Sequence, residues 1–327
     1  MSRARRSLAG KVVAITGGAR GIGRATAAAL VMQGARVAIG DIEPELAEST
    51  AQELGGGTIA LALDVTERAS FDRFLHQTEQ RLGPLDVLVN NAGIMPVGPF
   101  VQETDAMAAR MIDINLDGVI FGSKLALERF LPRRSGHLVN IASSAGKIGV
   151  PGGATYCATK HAVVGLSEAI RGEVRRSGVS VSVVMPIGVN TELYSGLPQP
   201  RGFRAAEPEE VAKAIVEALQ TGRFEVYVPK SLGLMLRLNA LTSTRVKDAF
   251  ARIFGTDQVL LSADHTTRGV YEQRMARIEA GIFAGPAAAA PAVAAAPGVA
   301  DAAQATEPDA ATEPDAQAEP EREAETV

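Results

Sequence analysis

Strand-like and helix-like segments alternate along most of this chain, and that alternation restricts the fold more than any other feature. The first strand segment is Lys11–Thr16, a β-branched run that ends in glycines, and a helical pattern follows at Gly21–Gln33. The alternation continues to a seventh strand segment, Phe224–Val228. Nearly continuous apolar strands are typical of a parallel sheet covered on both faces. With right-handed crossovers, the sequence predicts an α/β fold with a doubly wound, parallel, seven-stranded sheet.

Three of the predicted elements bear on the position of a site. The patterns predict a strand over 58–65, a long helix within 104–131 and a further helix over 155–177. In doubly wound sheets, ligands bind beyond the carboxyl ends of the strands. Functional residues are therefore expected directly after the strand segments.

The C-terminal part departs from the alternation. Residues 230–241 are strongly apolar, and amphipathic helical patterns follow at 245–254 and 268–282. From Gly285 onward the chain is almost entirely Ala, Pro, Glu, Asp, Thr and Gln, with nine acidic residues against one basic residue. Such a composition is typical of disorder. We expect a folded core over 1–229, a helical extension over 230–284 and a disordered tail over 285–327.

Composition excludes several classes of protein. Hydrophobic residues make up 46% of the chain and charged residues 21%, as in globular proteins, and the net charge of −4 argues against a nucleic-acid binder. The single cysteine, Cys157, rules out an internal disulfide framework, and we expect no metal site. Since no apolar run approaches the roughly 18 residues of a membrane span, and no signal peptide is evident, we expect a cytoplasmic protein.

A glycine-rich turn follows the first strand segment. It runs Thr16-Gly17-Gly18-Ala19-Arg20-Gly21-Ile22-Gly23. Glycines allow a tight turn and let a pyrophosphate approach the N–H groups at a helix N-terminus. Asp41 ends the second strand segment, eighteen residues after Gly23, where a carboxylate can accept hydrogen bonds from adenosine ribose hydroxyls. Together they predict dinucleotide binding; a plain turn is the alternative for the glycines alone.

The spacing TGxxxGxG, with Asn90-Asn91-Ala92-Gly93 after the fourth strand segment, resembles the short-chain dehydrogenase/reductase family over about 11–228. The resemblance implies a Rossmann-type fold, with 1–229 as the catalytic core, and a nicotinamide dinucleotide as cofactor. In the family, the Asp64 position contacts the adenine amine and the NNAG motif lines the cofactor. The cofactor residues implied in this half of the chain are Gly17, Arg20, Gly21, Ile22, Gly23, Asp41, Asp64, Val65, Asn91, Ala92 and Gly93.

A second motif, Tyr156-Cys157-Ala158-Thr159-Lys160, places a phenol and an ammonium four residues apart on one helix face. A neighbouring positive charge favours the phenolate, and a tyrosine with a lowered pKa can exchange a proton with an alcohol. Ser143 lies thirteen residues earlier, and the adjacent Ser144 fits the spacing less well. In the family, this serine hydrogen-bonds the substrate oxygen, and the asparagine at Asn115 holds a water in a proton relay. The resemblance therefore implies a catalytic tetrad of Asn115, Ser143, Tyr156 and Lys160, with Tyr156 and Lys160 also beside the cofactor.

Asp41 and Arg20 favour different cofactors. Asp41 repels the 2′-phosphate of NADP, whereas NADP-preferring family members often carry a basic residue at the Arg20 position. Because the carboxylate competes directly for the ribose hydroxyls, we predict NAD, with NADP less favoured. Pairing of Arg20 with Asp41 would weaken that preference.

After the sixth strand segment, the family motif PGxVxT is altered to Pro186-Ile187-Gly188-Val189-Asn190-Thr191. The resemblance implies that Pro186, Gly188, Val189 and Thr191 contact the cofactor, in a site slightly reshaped by Ile187. The next loop is apolar, and the predicted substrate contacts are Ser143, Met95, Leu193 and Tyr194. They favour an apolar alcohol or ketone over a sugar; packing within the loop is the alternative.

These observations predict an oxidoreductase that transfers hydride between NAD(H) and a secondary alcohol or ketone of lipid, steroid or retinoid type. The alternatives are an NADP-dependent ketone reductase and a non-catalytic dinucleotide-binding regulator on the same fold. The resemblance implies a homodimer formed by the helices of Asn115 and Tyr156. For residues 230–254, packing over the pocket and peripheral contact with a membrane are both open.

Overall fold

The computed structural model describes residues 5–280, apart from residues 201 and 203. Seven strands form one sheet in the order β3-β2-β1-β4-β5-β6-β7, and every neighbouring pair is parallel. The strands are β1 (Val12–Thr16), β2 (Arg36–Asp41), β3 (Ile59–Ala62), β4 (Val87–Asn90), β5 (Gly136–Ile141), β6 (Val179–Pro186) and β7 (Glu225–Val228). The predicted doubly wound α/β fold is confirmed. The strand order reverses between β1 and β4, which opens a crevice at their carboxyl ends.

Helices cover both faces of the sheet because successive strand residues point to opposite sides. From β1, Val13 and Ile15 pack under α1, α2 and α7, whereas Val12 and Ala14 pack under α3 and α5. The helices are α1 (Gly21–Met32), α2 (Pro44–Leu54), α3 (Arg68–Leu82), α4 (Asp105–Ile112), α5 (Gly118–Arg133), α6 (Ala154–Glu173), α7 (Pro208–Thr221), α8 (Ser231–Ala240), α9 (Thr244–Phe254) and α10 (His265–Glu279).

Two predicted elements differ from the structure. The strand predicted over 58–65 ends at Ala62, so Asp64 and Val65 lie in the turn before α3. The long helix predicted within 104–131 is divided by a π-helical stretch, Asp113–Asp117, between α4 and α5. This wider turn contains Asn115, whose side-chain amide bonds to the main chain of Ile94 and not to solvent. The long-range hydrogen bonds override the regular helical pattern.

The chain after β7 continues as α8, α9 and α10. The amphipathic patterns at 245–254 and 268–282 correspond to α9 and α10. Helix α10 packs against α4 and against the loop after β6, so it reaches the carboxyl edge of the sheet. The predicted disordered tail over 285–327 lies outside the described residues.

Candidate active site

A cavity of about 1330 Å³ opens at the carboxyl edge of the sheet, over the crevice between β1 and β4. Of the residues predicted for cofactor, substrate and catalysis, two lie behind the cavity wall, Gly23 and Asn115. The structure brings the others to its lining, which contains Gly17, Arg20, Gly21, Ile22, Asp41, Asp64, Val65, Asn91, Ala92, Gly93, Met95, Ser143, Tyr156, Lys160, Pro186, Gly188, Val189, Thr191, Leu193 and Tyr194.

The glycine-rich turn connects β1 to α1 in a conformation that requires its glycines. Gly17 and Gly21 have φ of 62° and 52°, which side chains disfavour. A Cβ on Gly23 would lie 2.1 Å from the Gly17 carbonyl oxygen, so Gly23 lets the helix approach the turn. The Asn91 amide donates to the carbonyl oxygens of Thr16 and Gly17 at 2.9 and 3.0 Å. The turn is thereby fixed, with the N-terminus of α1 directed at the cavity.

Asp41 lies at the end of β2, where its carboxylate borders the cavity. The N–H groups of Ala19 and Glu43 donate to its two oxygens at 3.0 and 3.3 Å. Burial raises the pKa of the Asp41 carboxyl, and these hydrogen bonds partly oppose the rise. Asp64 is held similarly, since its Oδ1 accepts from the N–H and hydroxyl of Thr66 at 2.9 and 2.7 Å. Both carboxylates retain lone pairs for ligand hydroxyl or amine donors.

The pairing considered for Arg20 and Asp41 is replaced by a different one. Arg20 forms ion pairs with Glu43 at 2.7 Å and with Glu192 at 3.1 Å. Asp41 is engaged by backbone N–H groups instead. Glu43 comes two residues after Asp41, and Glu192 comes directly after Thr191. Neither glutamate is itself part of a sequence motif. Their convergence on Arg20 depends on the packing of the β2 and β6 loops.

Tyr156 and Ser143 both line the cavity wall, where the Ser143 side chain is close enough to interact with the Tyr156 phenol. Tyr156 is buried on the first turns of α6, while Ser143 follows β5. Burial raises the pKa of the Tyr156 phenol above its ordinary value, and the interaction with Ser143 lowers it in part. The lowered pKa expected for Tyr156 from its spacing to Lys160 is therefore not found, because desolvation dominates. The structure favours Ser143 over Ser144 as the partner of Tyr156.

Lys160 is buried one turn after Tyr156 on the same face of α6. Its Nζ donates to the Ile141 carbonyl oxygen at 3.1 Å and lies 5.7 Å from the centre of the Tyr156 ring. Burial lowers the pKa of the Lys160 ammonium to about 8. Lys160 is therefore a buried amine close to the Tyr156 ring, and its pKa lies near neutral pH.

Asn115 lies behind the cavity and shapes its wall. Its amide donates to the Ile94 carbonyl oxygen at 2.9 Å and to the Thr159 hydroxyl at 3.3 Å, and its Oδ1 accepts from the Ile94 N–H at 2.8 Å. A Cβ on Gly93 would lie 3.1 Å from this Oδ1 and 3.5 Å from Lys160 Nζ. Asn115 and Lys160 thus approach each other across Gly93.

The loop after β6 forms the opposite wall. Pro186, Gly188, Val189 and Thr191 line the cavity as expected. The Tyr194 ring packs onto Gly188, where a Cβ would lie 2.4 Å from the ring carbon Cζ. Met95, Leu193 and Tyr194 belong to one apolar cluster with Tyr156, Val259 and Leu260. This end of the cavity is apolar, and part of it comes from the C-terminal extension.

Sequence reasoning missed the contribution of α10. Arg268 is 1% exposed and donates to the carbonyl oxygens of Met95, Leu193 and Ser195 at 2.7, 2.9 and 3.0 Å. The Tyr271 hydroxyl accepts from the Met95 N–H at 2.7 Å, and its ring lies 4.5 Å from the Arg268 guanidinium carbon. These two side chains tie the substrate-side loops after β4 and β6 together. Their spacing of three residues on one helix was the available signal, but it does not reveal a partner.

Comparison with known proteins gives the same family as the motifs. The model of the short chain dehydrogenase family matches residues 11–201. The chain belongs to this family.

Among curated relatives, a sorbitol dehydrogenase from Cereibacter sphaeroides is 41% identical over 58% of this chain and 75% of its own length. A 17-beta-hydroxysteroid dehydrogenase 13 from Rattus norvegicus is 31% identical over 76% of this chain and 85% of its own length. Among solved structures, a short chain dehydrogenase/reductase from Burkholderia phymatum in complex with NAD aligns with a TM-score of 0.66. It is 25% identical and covers 71% of this chain and 94% of that chain.

The described residues contain neither a cluster of metal ligands nor a membrane-spanning helix. In the part of the chain that the structure describes, no group of three or more His, Cys, Asp or Glu side chains is placed to hold a metal ion. Within the same residues, no helix is long and apolar enough to cross a membrane.

Proposed function

We propose that this protein is an NAD-dependent dehydrogenase that acts on the CH–OH group of an apolar secondary alcohol and reduces the corresponding ketone in reverse. One observation carries the proposal: Tyr156, Ser143 and the buried Lys160 line the same cavity as the glycine-rich turn. Proton transfer and dinucleotide binding need these two sets of groups within one site.

The residues present fit a nicotinamide dinucleotide. The glycine-rich turn and the α1 N-terminus suit a pyrophosphate, and Asp41 suits the hydroxyls of the adenosine ribose. Asp64 and Val65 would border the adenine, and residues 91–93 would line the middle of the cofactor. Pro186, Gly188, Val189 and Thr191 would border the nicotinamide, and Tyr156 and Lys160 would lie beside it. When bound, the cofactor supplies the hydride acceptor or donor.

The chain's own residues would manage the proton. In oxidation, the Ser143 hydroxyl hydrogen-bonds the substrate oxygen, and the Tyr156 oxygen takes the proton of the alcohol as the carbon loses hydride. In reduction, Tyr156 returns the proton to the forming alcohol. Burial disfavours the Tyr156 phenolate, so in this proposal the Lys160 cation, 5.7 Å from the ring centre, has to offset that cost, and Asn115 positions the wall behind Lys160.

The substrate is inferred from the lining. Met95, Leu193 and Tyr194 border an apolar region next to Tyr156, and Val259 and Leu260 extend it. Because this cluster is apolar, a steroid- or lipid-like alcohol suits it better than a polyol. The 17-beta-hydroxysteroid dehydrogenase relative supports this choice, whereas the sorbitol dehydrogenase relative supports a polyol.

NAD is proposed over NADP because Asp41 faces the expected ribose position, and the structural relative from Burkholderia phymatum holds NAD. A cofactor-coupled screen of apolar and polyol alcohols and ketones, each with NAD and NADP, tests cofactor and substrate together.

Asp41→Ala should shift preference towards NADP and leave the chemical step largely unchanged. Lys160→Ala should reduce both cofactor binding and turnover. Turnover of polyols alone would reject the apolar substrate.

Two alternative functions make different demands on Arg20 and Tyr156. An NADP-dependent ketone reductase would need Arg20 to receive the 2′-phosphate, yet Arg20 is engaged by two carboxylates. A non-catalytic dinucleotide-binding regulator would tolerate loss of the Tyr156–Ser143 pair, yet that pair is intact. Absence of turnover with both cofactors across the screen, despite cofactor binding, would favour the regulator.

The oligomeric state and membrane contact of the protein are also proposals. We propose a homodimer through the helices of Asn115 and Tyr156, with residues 230–284 disfavouring a tetramer; sedimentation at micromolar concentration tests it.

Helices α8 and α9 expose apolar side chains, including Leu234, Leu238, Val246 and Ile253. Residues 230–254 carry five basic side chains and one acidic side chain, which supports contact with an anionic membrane surface.

A further inference from the structure

Four charged side chains form a closed ring at the rim of the cavity. Arg20 Nη2 lies 2.7 Å from Glu43 Oε1, and Arg20 Nη1 lies 3.1 Å from Glu192 Oε2. Arg274 Nε lies 3.2 Å from the same Glu43 oxygen, and Arg274 Nη1 lies 2.5 Å from the same Glu192 oxygen. Each carboxylate therefore bridges both arginines. Arg20, Glu43, Glu192 and Arg274 are called the four-residue cluster below.

The four-residue cluster joins segments that are distant in sequence. Arg20 belongs to the glycine-rich turn, Glu43 follows β2, Glu192 follows β6 and Arg274 lies on α10. All four side chains are between 20% and 31% exposed, so solvent screens their charges only in part. Although burial alone would raise it, the pKa of Glu192 is lowered by hydrogen bonds from Arg274 and Arg20. Its carboxylate is ionised at neutral pH, and its charge is shared by two cations.

The position of the cluster bears on cofactor choice. Glu43 comes two residues after Asp41, at the edge where the adenosine ribose is proposed to bind. A phosphate on that ribose would need a cation with unsatisfied charge-assisted hydrogen bonds. Arg20 is at the correct edge. Its Nη1 donates to Glu192, and its Nη2 lies 2.7 Å from the Glu43 carboxylate as an ion pair that lacks hydrogen-bond geometry.

We propose that Glu43, Glu192 and Arg274 are cofactor-specificity residues that set how far Arg20 can serve a 2′-phosphate. This inference rests on the proposed NAD-dependent function. Glu43 and Glu192 occupy Arg20 and add negative charge beside Asp41, so both oppose the phosphate. Arg274 acts in the other direction, because it neutralises part of the charge of these two carboxylates.

The carboxylates and Arg274 are expected to change NADPH affinity in opposite directions, and this difference provides the test. Equilibrium Kd values for NADH and NADPH are measured by cofactor fluorescence, without any substrate. In Glu43→Gln/Glu192→Gln, Arg20 is released, and we expect NADPH to bind about tenfold more tightly while NADH changes by less than about twofold. In Arg274→Gln, both carboxylates act on Arg20 alone, and NADPH should bind about threefold more weakly relative to NADH.

Two controls separate electrostatics from folding. Glu53→Gln breaks the exposed Arg24–Glu53 pair, 2.9 Å long, which joins α1 to α2, and should change neither Kd. Adding Arg20→Gln to the double variant should abolish the gain for NADPH. Thermal unfolding confirms that each variant is folded, and Glu192→Gln alone should give a smaller gain of the same sign if the double variant is not.

The outcomes are distinct. A ratio of NADPH to NADH Kd that stays within about twofold of the wild-type ratio in the folded carboxylate variants overturns the specificity role, since a purely structural tie would weaken both nucleotides alike. That result leaves the proposed dehydrogenase intact if the wild type turns over an alcohol with NAD. A wild type that binds NADPH more tightly than NADH, or binds neither, overturns both.

Discussion

The carboxyl edge of the sheet and the C-terminal helix α10 both border the cavity, but they are held there in different ways. At the sheet edge, strand register and backbone conformation place the groups: Asp41 ends β2, and the glycine-rich turn follows β1. Helix α10 is attached mainly through single side chains, because Arg268, Tyr271 and Arg274 contact the β2, β4 and β6 loops. Its main chain adds the Thr267 carbonyl oxygen, which accepts from the Ser195 hydroxyl.

The two regions are therefore expected to have different roles: the sheet edge in the reaction itself, and α10 in the position of the loops and in the local charge. The groups proposed for hydride and proton transfer come from the sheet edge and α6, whose positions depend on many backbone hydrogen bonds. Those of α10 act on loop position and local charge. Substitutions at the sheet edge should therefore change turnover, and substitutions in α10 should change stability, substrate affinity and cofactor choice.

The largest expected effect is at the sheet edge. Tyr156→Phe keeps the ring but removes the proposed proton carrier, so kcat should fall about 10²–10⁴-fold while the Kd for NADH stays nearly constant. Steady-state turnover and cofactor titration measure the two quantities. Tyr227→Phe, on β7, is the matched control and should retain wild-type turnover. Near-normal kcat in Tyr156→Phe would reject the mechanism.

Arg268→Met should produce the largest effect within α10. It leaves the carbonyl oxygens of Met95, Leu193 and Ser195 without their buried donor, and the free energy of unfolding should fall by about 2–4 kcal/mol. Because the loops lose their tie, KM should also rise more than kcat falls. Arg277→Met, an exposed position on the same helix, should do neither. Equal losses in both variants would show that α10 does not position the loops.

The loss of folding stability at acidic pH should arise in the sheet, at a buried histidine. His137, buried on β5, bonds to Ser182 at 2.8 Å, and burial lowers its pKa to about 3, with a smaller contribution from the charge of Arg6. The unfolded chain protonates this group near pH 6.5, so stability is lost as the pH falls from 6.5 towards 3, by about 2 kcal/mol at pH 5.

Denaturant unfolding at pH 7 and pH 5 measures this loss. His137→Gln should remove most of that pH-dependent difference, although its stability at pH 7 is lower. His265→Gln, at an exposed position on α10, should leave the difference unchanged. A persistent acid-dependent loss in His137→Gln would assign it to other groups.

The smallest expected effect concerns α8. Leu234→Glu/Leu238→Glu replaces two exposed apolar side chains one turn apart and should weaken flotation with vesicles of phosphatidylcholine and phosphatidylglycerol by about tenfold. Met32→Glu, an exposed apolar position on α1, should have no effect. No flotation of the wild-type protein would reject membrane contact.

Sequence patterns were sufficient for most of the sheet and much of the cavity lining. Apolar periodicity identified the strands, and motif spacing identified Gly17, Asp41, Ser143, Tyr156 and Lys160, which the structure places around one cavity. These residues follow strand ends or share a helix face, so local sequence position nearly fixes their place in a parallel fold. The break at Asn115 was not predicted, because a regular apolar pattern runs through it.

Arg268 and Glu192 show why other parts could not be predicted. A lone arginine on a helix and a lone glutamate in a loop are ordinary surface residues in a sequence, and nothing nearby indicates burial or pairing. Arg268 is buried because α10 happens to cross the loops after β4 and β6, where three carbonyl oxygens need a donor. The raised pKa of Tyr156 likewise depends on burial, which spacing does not give.

The sequence by itself determined the doubly wound sheet, the family and the set of groups at the carboxyl edge, because strand periodicity, glycine conformation and helical spacing are local properties. Tertiary structure decided the partner of Arg20, the path of α10 and the closure of the apolar end of the cavity. Those features depend on long-range contacts between side chains, whose energies arise only when distant segments have packed and excluded water.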